Sequence, residues 1–208
     1  MLSHAHSTIF IHIPKSAGQS IELVFLRLNG LAWKERAQLL LMRNDDQSKG
    51  PKRLAHLRAC DYVAFGHVCQ QQFDRYFKFT FVRNPWDRLV SRYHFAKNGA
   101  KAGTSFKDFV QTIHSENTGK GEPSFRRQVD FIFDQEARSL VNFIGRFENL
   151  SEDFARVCEA LGLGRQQLPH VNAAPERRPY QEYYDAETKS LVDSMFQADI
   201  EQFAYSFE

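Results

Sequence analysis

Residues 9–26 combine three kinds of local structure in a fixed order, and this order limits the fold more than any other feature of the chain. Residues 9–13 (Ile-Phe-Ile-His-Ile) are typical of a buried strand. Residues 14–20 are mostly small or polar, and residues 21–26 (Ile-Glu-Leu-Val-Phe-Leu) are typical of a helix. A strand, a short loop and a helix form the first part of a β-α-β unit. Because further strands alternate with helices, the sequence predicts an α/β protein with a parallel sheet.

The loop between this strand and this helix has the composition of an anion-binding site. Its residues are Pro14, Lys15, Ser16, Ala17, Gly18, Gln19 and Ser20. Backbone N–H groups at a helix N-terminus attract anions, and the positive end of the helix dipole adds to this attraction. The Walker phosphate loop has a different order, Gly-x4-Gly-Lys-Ser/Thr. Because Lys15 precedes Gly18 here, we predict an anion-binding loop that is not a Walker loop.

A second strand-to-helix transition follows the first. Residues 76–82 (Tyr-Phe-Lys-Phe-Thr-Phe-Val) predict a buried strand, and Asn84 with Pro85 is typical of a helix start. This pattern places Arg83 at the strand end and Ser91 two turns into the helix. A guanidinium and a hydroxyl in this arrangement can bind a phosphate. Magnesium-dependent nucleotidases usually have an acidic residue at such a strand end, so the arginine predicts an anionic cofactor held without a metal.

The two segments together resemble the cofactor motifs of the sulfotransferases. Residues 13–20 (Ile-Pro-Lys-Ser-Ala-Gly-Gln-Ser) and 81–93 (Phe-Val-Arg-Asn-Pro-Trp-Asp-Arg-Leu-Val-Ser-Arg-Tyr) carry the resemblance, with Phe-Gly-His-Val at 65–68 between them. The likeness continues through residues 143–150 and 199–207. It points to the carbohydrate branch, which includes heparan sulfate 2-O-sulfotransferase and the chondroitin and dermatan enzymes.

The resemblance implies both a fold and a reaction. The fold is a P-loop-like three-layer α/β/α arrangement with a central, mainly parallel sheet, in a single domain over residues 1–208. The reaction moves the sulfuryl group of 3′-phosphoadenosine 5′-phosphosulfate (PAPS) to a hydroxyl, that of a saccharide or glycoconjugate. The product is 3′-phosphoadenosine 5′-phosphate (PAP), and no metal is required.

Two other functions are compatible with a nucleotide-binding α/β fold. A phosphoryl transferase or kinase of the phosphate-loop class would need magnesium and an acidic metal ligand, and Arg83 argues against it. A catalytically silent nucleotide-binding scaffold is the second alternative, since fold does not fix function. The presence of both Lys15 and His67 argues against the scaffold.

The resemblance also implies roles for residues near the sulfuryl group. The loop at residues 14–20 would bind the 5′-phosphosulfate, with Lys15 against the oxygen that bridges phosphate and sulfate. His67 matches the histidine that acts as the base in the 2-O-sulfotransferase branch. Ser16 stands where threonine is common. Gln19 stands where a small or hydroxyl residue is common, so it can alter the hydrogen bonds near the sulfuryl group.

A second set of implied residues lies further along the chain. Arg83 and Ser91 would bind the 3′-phosphate of the cofactor. Arg177 or Arg178, in a proline-punctuated basic segment, would close over the same phosphate and the adenine. A solvated linker is an equal alternative for that segment.

Three other polar residues near the motifs have structural interpretations. His12 is interpreted as a packed, hydrogen-bonded residue of the first predicted strand. Arg88 and Arg92 are candidates to support the phosphate site, with a place on the surface of the predicted helix as the default interpretation.

Composition and charge exclude several classes of function. The 208 residues carry a formal net charge of +2, which is too small to indicate binding to nucleic acid or to a membrane surface. The three cysteines, Cys60, Cys69 and Cys158, show no Cys-x-x-Cys spacing, which favours a reducing compartment. The first predicted strand begins near residue 8, leaving no room for a signal peptide or anchor. The animal carbohydrate sulfotransferases are Golgi proteins with a transmembrane anchor. Because no such anchor is predicted here, the resemblance implies a compact, bacterial, cytoplasmic version without stable membrane insertion, or a trimmed chain.

Hydrophobic periodicity and turn residues predict the remaining elements. The predicted strands lie at 8–13, 61–66, 76–82 and 141–147. The predicted helices lie at 18–29, 32–43, 85–97 and 105–114, from about 149 or 151 onward, and at 185–203. Loops are predicted at 98–103 and 115–124.

Overall fold

The computed structural model describes residues 1–97, 103–116, 123–169 and 178–208. The chain forms two compact units, the first built from Met1–Val82 and Asp130–Val171 and the second from Arg83–Val129 and Asn172–Glu208. The expectation of a single domain stays a prediction. Within the described ranges, no helix combines the length and the apolar character that crossing a membrane requires. The cytoplasmic location also stays a prediction.

The first unit contains a four-stranded, mainly parallel sheet. Its strands are β1 (Leu2–Ser3), β2 (Thr8–Ile11), β3 (Phe77–Val82) and β4 (Phe143–Arg146). They lie side by side in the order β1-β2-β3-β4, and β1 is the antiparallel member. Ile11 pairs with Thr80, so β2 and β3 end at the same edge of the sheet. The predicted α/β class with a central, mainly parallel sheet is confirmed.

Helices and 3₁₀ turns make up most of the remaining regular structure. The α-helices are α1 (Gly18–Leu28), α2 (Asp61–Ala64), α3 (Gln70–Arg75), α4 (Pro85–Lys97), α5 (Phe106–Glu116), α6 (Val129–Ile132), α7 (Leu150–Ala160), α8 (Ala186–Met195) and α9 (Gln197–Gln202). The 3₁₀ turns are Trp33–Leu39, Gln47–Lys49, Leu54–His56, Pro123–Phe125, Phe147–Asn149 and Tyr180–Tyr183.

Most predicted elements are confirmed, and the three predicted strands among them and α1 are shorter than predicted. The strands predicted at 8–13, 76–82 and 141–147 are β2, β3 and β4, and the helices predicted at 18–29, 85–97 and 105–114 are α1, α4 and α5. The helix predicted from about 149 or 151 is α7. The helix predicted at 32–43 is instead the 3₁₀ turn Trp33–Leu39, and the last predicted helix divides at Phe196 into α8 and α9. Most of the loops predicted at 98–103 and 115–124 lies outside the described residues.

The strand predicted at residues 61–66 is wrong, because this segment begins with the helix α2. The Asp61 carboxylate accepts the backbone N–H of Arg58 at 2.8 Å and pairs with its guanidinium at 2.7 Å. This local pair closes a turn that an extended chain cannot make. Tyr62 is fully buried within the helix, so its burial does not require a strand.

Aromatic side chains attach α1 to the sheet. Phe10 of β2 and Phe79 of β3 are register partners, and their rings stack at a centroid distance of 5.0 Å. Phe25 of α1 packs on Phe79, and Phe154 and Val157 of α7 belong to the same buried cluster. Burying apolar surface of this kind drives folding, and it fixes both ends of the loop between β2 and α1.

The second unit has its own apolar core. Its buried residues include Trp86 and Val90 from α4, Phe106 and Val110 from α5, and Val192 from α8. Each helix therefore turns one apolar stripe toward this core, as expected for amphipathic surface helices.

Candidate active site

The loop between β2 and α1 has an unusual backbone. Lys15 and Ala17 both adopt left-handed conformations, with φ values of +71° and +60°. Left-handed residues at alternate positions turn successive backbone N–H groups toward one concave face, an arrangement that binds anions. Each such non-glycine residue costs on the order of 1–3 kcal/mol. Two strained residues in one short loop are typical of a functional site.

The same loop contains a buried hydroxyl with an unmet hydrogen bond. Ser16 is only 1% exposed, and its Oγ has no hydrogen-bond partner among the described residues. Leaving a buried polar group unpaired costs about 1–3 kcal/mol. An oxyanion seated in the loop would supply the missing acceptor, so the residues present fit an anionic group.

The other loop residues differ in exposure. Pro14, Gly18 and Ser20 are buried, whereas Gln19 is exposed. The Ala17 carbonyl accepts the N–H of Ser20 at 3.0 Å, which starts the first turn of α1. The loop therefore passes directly into the N-terminus of an eleven-residue helix, where the helix dipole favours negative charge.

His12 packs behind this helix start, as the sequence predicted for a buried, hydrogen-bonded residue. Its Nδ1 lies 2.6 Å from Glu22 Oε1, and both side chains are buried. A Cβ atom on Gly18 would lie only 1.9 Å from His12 Nε2. The imidazole therefore occupies the space of a side chain at position 18, and only glycine fits there.

A second histidine packs against the first. His56 Nδ1 lies 3.1 Å from the His12 carbonyl oxygen, and the two rings meet edge to face at 4.5 Å. A carbonyl oxygen only accepts hydrogen bonds, so His56 Nδ1 carries the proton. Burial lowers the pKa of His56 to about 3, and charge repulsion from His12 contributes to the shift. The His56 ring is therefore neutral at physiological pH.

We expect Gly18→Ala to destabilise the protein by about 1–3 kcal/mol, because the new methyl group overlaps the His12 ring. Urea unfolding of wild type and variant measures this difference. The matched control is the double variant His12→Ala/Gly18→Ala, in which the clashing ring is absent. If the two substitutions act through this contact, their effects will be non-additive by about 0.5–3 kcal/mol. Additive effects would contradict the proposed packing.

His67, the predicted base, lies in the first unit at a turn that follows α2. It is half-buried, and its Nε2 lies 2.9 Å from the Lys49 carbonyl oxygen. Gly66 before it is left-handed, and the Tyr62 carbonyl accepts the N–H of His67 at 2.9 Å. Since the Lys49 carbonyl can only accept, Nε2 carries the proton and Nδ1 holds the lone pair. Burial is the main cause that lowers the pKa of His67, so its ring is neutral and basic at neutral pH.

Arg83, the predicted ligand of a phosphate, lies in the second unit and is 6% exposed. Its Nε donates to Asp87 Oδ2 at 2.6 Å. The buried Gln128 side chain accepts the Arg83 N–H at 2.9 Å and donates to its carbonyl at 2.8 Å. Ser91 is half-buried in α4. These contacts fix both the backbone and the guanidinium plane of Arg83.

A comparison with known protein families decides what this arrangement is. The family model described as "Sulfotransferase family" matches residues 1–206. The chain belongs to the sulfotransferase family. A relative from Archaeoglobus fulgidus, an uncharacterized protein, is 34% identical over 110 residues, which cover 52% of this chain and 87% of the relative. The resemblance to sulfotransferases seen in the sequence is confirmed, and sulfuryl transfer is the reaction class that family membership supports.

Arg88 is buried, at 3% exposure, so its default interpretation as a helix-surface residue is wrong. It donates to the carbonyls of Ser124 at 3.2 Å and Arg126 at 2.9 Å, and it lies 3.9 Å from Asp199. Burial lowers the pKa of Arg88 to about 10, a value that still leaves it charged at neutral pH. Its partners are distant in sequence, and no local pattern in α4 reveals them.

Asp199 and Gln128 are structural residues that the sequence analysis did not identify. Asp199 is fully buried and accepts the backbone N–H groups of Gln128 at 2.8 Å and Val129 at 2.9 Å. Gln128 then holds the backbone of Arg83. Asp199 therefore fixes the backbone at Gln128, and Gln128 in turn fixes the backbone of Arg83, the predicted phosphate ligand.

The structure describes only part of the late basic segment. Arg177 lies outside the described residues. Arg178 is exposed; its guanidinium lies over the Tyr183 ring at 4.9 Å and 3.8 Å from Glu182. The predicted role of either arginine in closing the cofactor site stays a prediction. Among the residues that the structure describes, no cluster of three or more His, Cys, Asp or Glu side chains suits a metal ion.

Proposed function

We propose that this chain transfers the sulfuryl group of PAPS to a hydroxyl of a saccharide or glycoconjugate. The observation that carries the proposal is the loop between β2 and α1. Its left-handed residues, Lys15 and Ala17, and the buried hydroxyl of Ser16 suit a compact anion. Membership of the sulfotransferase family supports sulfuryl transfer in general. The carbohydrate acceptor and a bacterial source rest on the likeness of the sequence motifs.

Each end of the cofactor would have its own set of residues. The loop from Pro14 to Ser20 would bind the 5′-phosphosulfate through backbone N–H groups and Lys15. Arg83 and Ser91 would bind the 3′-phosphate, and a guanidinium suits this role because its fork of donors matches a phosphate. The fixed orientation of Arg83 supports this assignment, since a preorganised donor loses less entropy when it binds.

The reaction requires a base and a stabiliser of the leaving group. PAPS supplies the sulfuryl group and a phosphate leaving group. The acceptor oxygen forms a bond to sulfur while the bond from sulfur to the bridging oxygen breaks, and PAP leaves. Nδ1 of His67 would take the acceptor hydroxyl proton. The ammonium of Lys15 would neutralise the charge that grows on the bridging oxygen.

Isothermal titration with PAP tests the cofactor assignment directly. We expect wild type to bind PAP without metal and to prefer it to ATP with magnesium. Arg83→Ala should weaken PAP binding by about 10- to 100-fold, because each hydrogen bond to a charged group contributes about 1.5–3 kcal/mol. The matched control is Arg156→Ala, which removes an exposed arginine paired with Asp153. Preference for ATP with magnesium, or binding of neither nucleotide, would overturn the proposal.

A further inference from the structure

A turn in the first unit, residues 44–51, is organised by one buried amide. Asn44 is 8% exposed, and its Nδ2 donates to the carbonyls of Asp46 at 2.7 Å, Gly50 at 2.9 Å and Pro51 at 3.3 Å. Its Oδ1 accepts the Asp46 N–H at 3.2 Å. The backbone N–H can only donate, which fixes the orientation of the amide group. The Asn44 side chain thus joins both ends of the turn, beside the backbone bond from the Asn44 N–H to the Lys52 carbonyl at 2.8 Å.

Inside this turn, a single 3₁₀ turn, Gln47–Lys49, presents a carbonyl to His67. The Asp46 carboxylate accepts the Ser48 N–H at 2.9 Å and caps its start. The last carbonyl groups of a helical turn have no partner within it. The carbonyl of Lys49 finds its partner in His67 Nε2, at 2.9 Å.

We infer that Asn44 is a positioning residue for His67, because it holds the turn whose Lys49 carbonyl keeps the imidazole proton on Nε2 and leaves Nδ1 as the basic nitrogen. The catalytic use of Nδ1 rests on the proposed function. The protonation of Nε2 and the orientation of the ring do not.

The geometry supports this inference through the chemistry of a neutral imidazole. Such a ring has one N–H donor and one lone pair. With the proton on Nδ1, the lone pair of His67 Nε2 would face the lone pairs of the Lys49 carbonyl at 2.9 Å, and the contact would become repulsive. Asn44→Ala removes the side-chain partner of three carbonyls and one N–H of the turn, and of these carbonyls that of Asp46 still accepts the Lys49 N–H at 3.0 Å. We expect the turn to loosen, so that the Lys49 carbonyl no longer fixes the ring.

The experiment that tests this inference is ¹⁵N NMR of histidine-labelled protein at neutral pH. In wild type we expect a bonded proton on His67 Nε2, protected from exchange with water, and a lone-pair nitrogen at Nδ1. In Asn44→Ala we expect the protected proton to be lost and both nitrogens to share the proton. Asp46→Ala, an exposed change that removes the cap of the same turn, should shift the spectrum in the same direction if Asn44→Ala does not fold.

The matched control is Asn29→Ala. Asn29 is a half-buried residue of the first unit whose Nδ2 donates to the Phe25 carbonyl at 2.7 Å. This variant should leave the His67 spectrum unchanged. A wild-type proton on Nδ1, or an unchanged His67 spectrum in both turn variants, would overturn the inference.

Kinetics separate a positioning role from a purely structural one. For Asn44→Ala we expect kcat to fall about tenfold, a part of the 10²–10⁴ that a positioned base contributes, with PAP affinity unchanged. An equal loss of PAP affinity would indicate general damage to the first unit and would overturn the positioning role. If wild type shows the expected His67 spectrum but binds no PAP, the proposed function fails while the assignment of the ring proton stands.

Discussion

Lys15→Ala will lower kcat for sulfuryl transfer by about 10²–10³-fold, the usual cost of removing one preorganised stabiliser of transition-state charge. The affinity for PAPS will change much less, because the charge on the bridging oxygen grows only as the bond to sulfur breaks. A sulfuryl-transfer assay with PAPS gives kcat, and titration with PAPS in the absence of an acceptor gives the affinity. Normal turnover in Lys15→Ala would remove Lys15 from the mechanism.

The backbone of Lys15 offers a matched control for this experiment. At a φ of +71°, alanine keeps the strain of the wild-type loop, whereas glycine adopts this conformation readily. We therefore expect Lys15→Gly to be inactive but at least as stable toward urea as wild type. Lost activity with retained stability separates a role in chemistry from a role in folding.

His67→Ala will lower kcat by about 10²–10⁴-fold, the range that a positioned general base contributes. The pH dependence of the wild-type rate tests the same role of His67. Burial lowers the pKa of His67 below the ordinary value of 6.5, and only the neutral ring accepts a proton. The wild-type rate should therefore be flat near neutral pH and fall as the pH drops through a value below 6.5.

His67→Gln is the matched control for this variant. Its amide can donate to the Lys49 carbonyl as Nε2 does, yet it cannot accept a proton at neutral pH. We expect His67→Gln to fold normally, to lose the acidic limb of the pH profile and to be as slow as His67→Ala. Activity near that of wild type in His67→Gln would mean that another group is the base.

The sequence predicted the fold where the pattern was local. Residues 9–13 and 21–26 determine a strand and a helix through periodicity alone, so β2 and α1 were predictable. The segment at 61–66 was not, because its helix depends on the bond between the Asp61 carboxylate and the Arg58 backbone. The two-residue strand β1 is too short for any pattern to reveal.

The candidate site also has some features that the sequence predicts and others that it does not. Lys15 and the small residues around it were identifiable because anion-binding loops select such residues. The left-handed conformation of Lys15 and Ala17 was not, since most non-glycine residues avoid it. The burial of Arg88 depends on carbonyls more than 30 positions away in the chain, and the hydrogen bond from His67 to Lys49 depends on how a separate turn folds.

The packing of His12 against Gly18 has a consequence for protein engineering. Since the His12 ring occupies the place of a side chain at position 18, the residues that fit at position 18 depend on the residue at position 12. A library that randomises residue 18 alone and is selected for stability will favour glycine. A library that varies residues 12, 18 and 22 together can replace the imidazole by a smaller side chain and fill the space with a side chain at position 18 of the helix. Such libraries offer a route to loops of altered shape on the same sheet.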